Sequence, residues 1–132
     1  MQKDERQIAL IVVDHGSRFK EANEMLLDVV RMVKELSGVE RIYPAHMELA
    51  EPSIAQAFAQ AVRDGATAVV VHPYFLAPGR HSTTDIPRMV EEAASAYPGI
   101  EHCVTAPLGV HPKIGEVVLE RVGHSSVAKV GS

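Results

Sequence analysis

The sequence predicts an α/β fold, in which four parallel strands alternate with four helices in the order βαβαβαβα and helices cover both faces of the sheet. Two of the strand-like runs are apolar at consecutive positions, which is typical of strands buried on both faces of a parallel sheet. Helix-like runs with a single apolar stripe follow each strand, and such strict alternation implies right-handed crossovers. The pattern therefore indicates a small flavodoxin-like architecture.

The four strand-like runs differ in polarity. Residues 7–13 and 67–71 are the continuous apolar runs, so we expect them in the centre of the sheet. Residues 41–47 and 100–104 are more polar and are expected to flank the central strands. Pro44 supports an edge position for the second strand, because proline has no N–H to donate to a neighbouring strand.

Each helix is predicted from apolar residues that recur with the helical period. Four such stripes occur, over residues 22–36, 54–62, 86–97 and 114–122. Gly38 and Gly65 are expected to end the first two helices, since glycine readily adopts the left-handed conformation that follows a helix. Pro52 and Pro112 are expected in the first turn of the second and fourth helices.

The length favours one domain, predicted to span residues 1–132 with a core over about 7–122 and a flexible C-terminal tail. The net charge of −4 opposes a general nucleic-acid binder, which needs a basic surface. No run is long enough to suggest a membrane span, and no secretory signal is evident. Cys103 is the only cysteine, which excludes an internal disulfide and every multi-cysteine metal site. We expect a cytoplasmic protein.

The predicted sheet concentrates the chemistry at one edge, because ligands of such folds bind beyond the carboxyl ends of the strands. His15 and His81 each follow a central apolar strand and can converge there although they are far apart in sequence. Glu48 follows the neighbouring strand. Two imidazoles and one carboxylate can hold a divalent transition metal with open coordination positions. The plainer alternative is that these side chains only cap or pack their loops.

Further residues of the same loops are candidates for binding a substrate. Arg18 and Arg80 can attract carboxylates, while Gly79 and Gly109 allow a ligand to approach the backbone closely. His46 comes two residues before Glu48, so it can line the same cleft or remain inside the protein. A solvated, purely structural surface is the competing interpretation for each of these residues.

Two other chemistries have weaker support. The sequence contains neither the glycine-rich dinucleotide motif nor the phosphate-binding loop of nucleotide triphosphatases. Ser17 lies in the segment Asp14-His15-Gly16-Ser17, but this segment is not the nucleophile elbow of a hydrolase. A hydrolase that uses Ser17 or His15 therefore remains a minor alternative.

Four segments together resemble the class II chelatases of tetrapyrrole synthesis, and among them the small sirohydrochlorin chelatases of the CbiX/SirB group. The segments are I-V-V-D-H-G-S-R, H-M-E-L-A-E-P-S-I, P-Y-F-L-A-P-G-R-H followed by D-I-P, and T-A-P-L-G-V-H. They occur in the family's order over about residues 8–122. The resemblance implies a chelatase-like fold and a lyase that inserts a divalent metal into sirohydrochlorin, on the routes to sirohaem and cobalamin.

The resemblance also implies roles for particular residues. The family's two metal-handling histidines correspond to His15 and His81, and its rim glutamate corresponds to Glu48. Cobalt or iron, with nickel as a further option, is then a substrate rather than a resident cofactor, and no iron–sulfur cluster is expected. The short form implies a homodimer whose sites face a shared cleft. A metal-binding or metal-delivery protein that uses the same histidines without catalysis is the alternative.

Overall fold

The computed structural model describes residues 6–125 and 127, apart from the side chains of His81 and Ser82. Most of the predicted C-terminal tail therefore lies outside the described residues. Within the described part, four strands form one parallel sheet with the spatial order β2-β1-β3-β4. The strands are β1 (Ile8–Asp14), β2 (Ile42–His46), β3 (Ala68–Pro73) and β4 (Glu101–Val104). The predicted α/β order, the two central strands and the edge position of β2 are confirmed.

The helices follow the strands as predicted. They are α1 (Lys20–Ser37), α2 (Ile54–Arg63), α3 (Ile86–Ala94) and α4 (Pro112–Gly123). Gly38 ends α1 in the left-handed conformation, with φ of 74°, and Pro112 lies in the first turn of α4. None of the helices in the described ranges is both long enough and apolar enough to cross a membrane.

Two hydrophobic clusters cover opposite faces of the sheet. The larger cluster packs α2 and α3 against the face that carries Ile11, Val69 and Val71. The smaller one packs α1 against the other face of β1 and β2, around Leu26 and Ile42. The alternation of side chains along a strand explains this division, since successive residues point to opposite faces. Helices on both faces are thus confirmed.

The helix α4 differs from the other three, because none of its residues is buried. Its apolar side chains remain exposed although they are numerous for a surface helix, and they comprise Val117, Val118, Leu119 and Val122. The apolar stripe that predicts this helix is therefore not explained by packing within the single described chain.

Two local features differ from the expectations. Pro52 precedes α2 rather than lying in its first turn, and Ser53 is the N-cap, with a reciprocal pair of hydrogen bonds to Gln56. The predicted loop after β3 also runs into a π-helical segment, His81–Asp85, which continues directly into α3. As a result, the helical run begins close to Gly79, whose carbonyl oxygen accepts the Thr83 N–H at 2.8 Å.

Replacing the central aromatic residue of the larger cluster should be costly. Phe58 is fully buried and its ring stacks on Tyr97 with centroids 5.8 Å apart. We expect Phe58→Ala to lower the free energy of unfolding by about 3–5 kcal/mol, from lost burial and the cavity it leaves. Urea denaturation followed by circular dichroism measures this change. Phe19→Ala is the control, because Phe19 is 73% exposed, and an equal loss there would contradict the assignment of the core.

Candidate functional site

The pairing of β1 with β2 continues past the ends of both strands and builds one side of the site. Asp14 and His46 are the last residues in register. Beyond them, the Met47 N–H donates to the Asp14 carbonyl at 3.0 Å, and the Glu48 N–H donates to the His15 carbonyl at 3.2 Å. These two hydrogen bonds bring the residues that follow the strands opposite each other. The site is therefore an extension of the sheet rather than a free loop.

His15 and Glu48 form a hydrogen-bonded pair at this edge. The distance between His15 Nε2 and Glu48 Oε1 is 2.9 Å, and the side chains are 45% and 56% exposed. With Glu48 ionised, the ring nitrogen donates the proton, since a carboxylate only accepts. Both groups are ligands of divalent metals when that proton is absent. The structure thus brings together two of the three residues predicted to converge at this edge.

Gly16 is required where β1 turns away from β2. Its φ is 94°, a conformation that residues with a side chain rarely adopt. A Cβ atom at this position would lie 1.8 Å from the carbonyl oxygen of Glu48. Because both constraints act at one residue, the close approach of the two segments that carry His15 and Glu48 depends on glycine.

His46, the last residue of β2, is a buried histidine two residues before Glu48. It is 3% exposed, and its Nδ1 lies 2.5 Å from Asp14 Oδ1. In this conformation His46 has almost no surface to offer a substrate, so its burial supports the second of the two orientations considered from the sequence. Asp14 was not among the predicted site residues, and the signal for it is its alignment with His46 across two parallel strands.

A cleft of about 330 Å³ opens beside His15. Asp14 is among its lining residues, together with Tyr74 and Phe75, which follow β3. Met25 and Leu26 of α1 add apolar side chains to the lining. A largely apolar lining with a few polar groups is typical of sites for small organic molecules.

The predicted substrate-binding residues lie on the exposed edge. Arg18, Gly79 and Arg80 are exposed. Gly109 is half-buried and its N–H donates to the Leu76 carbonyl at 2.8 Å, which ties the loop after β4 to the loop after β3. Their role in binding stays a prediction.

The third metal-handling candidate, His81, begins the π-helical segment. Its side chain lies outside the described part of the structure, so its distance from His15 is not defined. Among the described side chains, no three histidine, cysteine, aspartate or glutamate residues converge on a point that could hold a metal ion. The convergence of His15 with His81 remains a prediction from the sequence.

Three further histidines have structural partners. His111 caps α4 by accepting the Lys113 N–H at 3.1 Å. His102 contacts Glu91 of α3 at 2.9 Å. Burial lowers the pKa of His72, whose Nδ1 lies 2.8 Å from the Thr105 hydroxyl, so this ring is neutral at neutral pH.

Ser17 is engaged at the junction between β1 and α1. Its hydroxyl oxygen accepts the Phe19 N–H at 3.0 Å. The Asn23 side chain bonds both its N–H, at 3.0 Å, and its carbonyl, at 2.7 Å. Through these contacts Ser17 stabilises the start of α1. Within the described residues its hydroxyl is not paired with a base in the way that an activated nucleophile is.

Comparison with known proteins agrees with this arrangement. The sequence model of the CbiX family matches residues 9–125 of the 132. This chain belongs to the CbiX family. The match includes Asp14, His15, His46 and Glu48, so the paired segments that form the site lie within the family's shared region.

Individual relatives of this CbiX-family chain carry chelatase names. The chloroplastic sirohydrochlorin ferrochelatase of Arabidopsis thaliana is 52% identical over 87% of this chain and 51% of its own length. The sirohydrochlorin cobaltochelatase of Methanopyrus kandleri is 28% identical over 87% of this chain and 94% of its own length. The structure of SirB from Bacillus subtilis with Fe3+ has a TM-score of 0.85 and 30% identity, over 92% of this chain and 48% of that one.

These relatives differ in length. The chain spans about half the length of the plant relative and of the Bacillus structure, and nearly all of the Methanopyrus relative. The described residues match the fold of about half of the Bacillus SirB chain.

The constraint at Gly16 generates a prediction for the site. Gly16→Ala should lower the free energy of unfolding by more than about 2 kcal/mol. Alanine is strained in the left-handed backbone conformation, and its Cβ would displace the Glu48 carbonyl. Gly99→Ala is the matched control, since a Cβ there meets nothing within 4 Å, and it should change stability by less than about 1 kcal/mol. Equal effects in denaturant titrations would show that the close approach at Gly16 is unimportant.

Proposed function

We propose that this chain inserts iron or cobalt into sirohydrochlorin. The observation that carries the proposal is the exposed His15–Glu48 pair, 2.9 Å apart, at the carboxyl edge of the sheet beside an apolar cleft. Family membership and the chelatase names of relatives support the same reaction. Nickel remains an expectation from the ligand chemistry alone, because imidazole and carboxylate ligands accept it as readily.

The His15–Glu48 pair suits a reaction that exchanges protons for a metal ion. In the metal-free protein a proton bridges the two groups, and a divalent cation that binds both must displace it. His81, as the resemblance implies, is the second imidazole ligand. Neutral imidazoles and one carboxylate leave coordination positions open, so the cation can keep some water and still meet the nitrogen atoms of the ring.

Insertion of the metal releases two pyrrole protons for each divalent cation that enters the ring. When the cation leaves its ligands for the macrocycle, His15 and Glu48 regain free lone pairs and can accept protons at the moment when the ring loses them. A side chain held within hydrogen-bond reach of a reacting proton accelerates its transfer. The same pair thus serves as metal ligand before the transfer and as proton acceptor after it.

The edge of the site also suits the substrate. Tyr74 and Phe75 provide an apolar wall against which a flat macrocycle can lie. The carboxylates of sirohydrochlorin are proposed to bind Arg18 and Arg80. Gly79 and Gly109 have no side chains, so they are proposed to let the macrocycle approach the backbone closely.

A reducing compartment such as the cytoplasm is proposed as well, since the chain has a single cysteine.

We further propose that two copies of this chain associate through α4. The helix buries none of its residues, and Val117, Val118 and Leu119 are 47–56% exposed. The plant and Bacillus relatives carry about as many residues again outside the matched region. A second copy of this chain is the proposed occupant of the surface on α4, and exposed apolar patches of this kind are typical of subunit contacts.

Anaerobic incubation of sirohydrochlorin with Co²⁺ or Fe²⁺, followed by absorbance, tests the reaction and its site. We expect His15→Ala and His81→Ala to lower the rate by about a hundredfold or more, since each loses a ligand that also accepts protons. Glu48→Gln should lower it in the same direction. His124→Ala is the control, because His124 is an exposed residue after α4, and it should retain the parent rate.

The outcomes separate the hypotheses. Unchanged rates in both histidine variants would remove the site assignment. A parent protein that binds Co²⁺ but gives no acceleration over a protein-free blank would favour the metal-delivery alternative, and turnover of an ester without added metal would favour a hydrolase.

Sedimentation equilibrium tests the association. The parent should have the mass of two chains, and Val118→Asp should shift the equilibrium to single chains because a carboxylate cannot be buried without a partner. Lys113→Asp places the same charge at an exposed polar position of α4 and should leave the dimer intact. A parent that sediments as a single chain at micromolar concentration would contradict the proposal.

A further inference from the structure

His46 and Asp14 form the most deeply placed polar pair near the site. The ring of His46 is 3% exposed, and the side chain of Asp14 is 22% exposed and reaches the cleft. The atoms in contact are Nδ1 of the imidazole and Oδ1 of the carboxylate, at 2.5 Å. With Asp14 ionised, the ring N–H donates, and hydrogen bonds to an ionised acceptor are stronger than those between neutral groups. The contact therefore fixes both side chains.

The backbone carries this constraint to the exposed pair. Asp14 and His46 are directly opposite in register, and the next residues along the two segments are joined by the hydrogen bonds to Met47 and Glu48. The main chain of His46 is held as well, because its N–H donates to the Pro52 carbonyl at 2.8 Å. An imidazole locked at both ring and backbone thus lies one residue pair below the His15–Glu48 contact.

Gly16 packs closely against both His46 and Glu48. A Cβ at Gly16 would come within 3.3 Å of the His46 Cβ and within 1.8 Å of the Glu48 carbonyl oxygen. The turn at Gly16, which follows His15, therefore packs against both His46 and the backbone of Glu48. If His46 moved, the positions of His15 and Glu48 would change with it.

We propose that His46 is a positioning residue: through its hydrogen bond to Asp14 it holds His15 and Glu48 at the spacing that a divalent cation requires. The inference rests on the proposed function of that pair as a metal site. Partners that orient the ligands of a metal commonly change its affinity by about 10- to 100-fold when they are removed. His46 would act in this way without touching the cation.

Three variants of the full chain separate positioning from stability. His46→Phe fills a similar space but removes the donor to Asp14. His46→Asn restores a donor near the position of Nδ1. His102→Phe is the matched control, since it breaks a histidine–carboxylate contact outside the site, that of His102 on the edge strand β4 with Glu91 at 2.9 Å.

Two readouts are needed, and both are made without tetrapyrrole. The ¹⁵N chemical shift of the His15 imidazole in the metal-free protein reports its hydrogen bond to Glu48. Calorimetric titration with CoCl₂ reports the affinity for the cation, and thermal unfolding by circular dichroism records stability alongside. If His46→Phe does not fold, Asp14→Asn replaces it, because this variant keeps the size of the side chain and weakens the same hydrogen bond.

We expect His46→Phe to weaken Co²⁺ binding at least about tenfold and to shift the His15 nitrogen resonance, with His46→Asn within about threefold of the parent. His102→Phe should bind Co²⁺ like the parent and leave the His15 nitrogen resonance unchanged. Parent-like affinity and resonance in His46→Phe would overturn the proposal, as would a loss in His46→Asn equal to that in His46→Phe. A parent that binds Co²⁺ but does not metallate sirohydrochlorin contradicts the proposed function alone.

Discussion

The parallel pairing of β1 with β2 is the constraint on which the site depends. Neither His15 nor Glu48 lies within a strand, yet the ladder of hydrogen bonds extends to both, through the Met47 and Glu48 N–H groups. A slip of one residue in this register would turn Glu48 to the opposite side and expose the buried His46. The apolar cores on the two faces of the sheet oppose such a slip. The packing that stabilises the fold therefore also fixes the geometry of the site.

Burial determines how much of the fold could be predicted from the sequence. The runs 7–13 and 67–71 are apolar at nearly every position, which is typical of central strands in a covered parallel sheet. The start of α2 was predictable in principle, because Ser53 and Gln56 have the capping-box spacing, but Pro52 suggested an earlier start. The π-helical segment at His81–Asp85 has no comparable signal, since it differs from an α-helix by the hydrogen-bond partner and not by apolar spacing.

The site was predictable where topology alone decides position. Because the loops after parallel strands share one edge, His15 and Glu48 were expected to approach each other, and their side chains are in contact. The partner of His46 depends on register, which the residues of the two strands do not specify by themselves. Asp14 therefore stood next to a candidate histidine without being recognised. The position of the His81 side chain depends on the π-helical segment and stays a prediction.

The exposure of the His15–Glu48 pair bears on how long a cation would remain there. Roughly half of each side chain faces water, at 45% and 56%, so departing and arriving water molecules have free access to an ion held by them. Ions that serve as permanent structural elements are enclosed by a complete set of ligands. A pair open to solvent favours brief residence and rapid exchange, as suits cargo that passes on to another molecule instead of staying with its carrier.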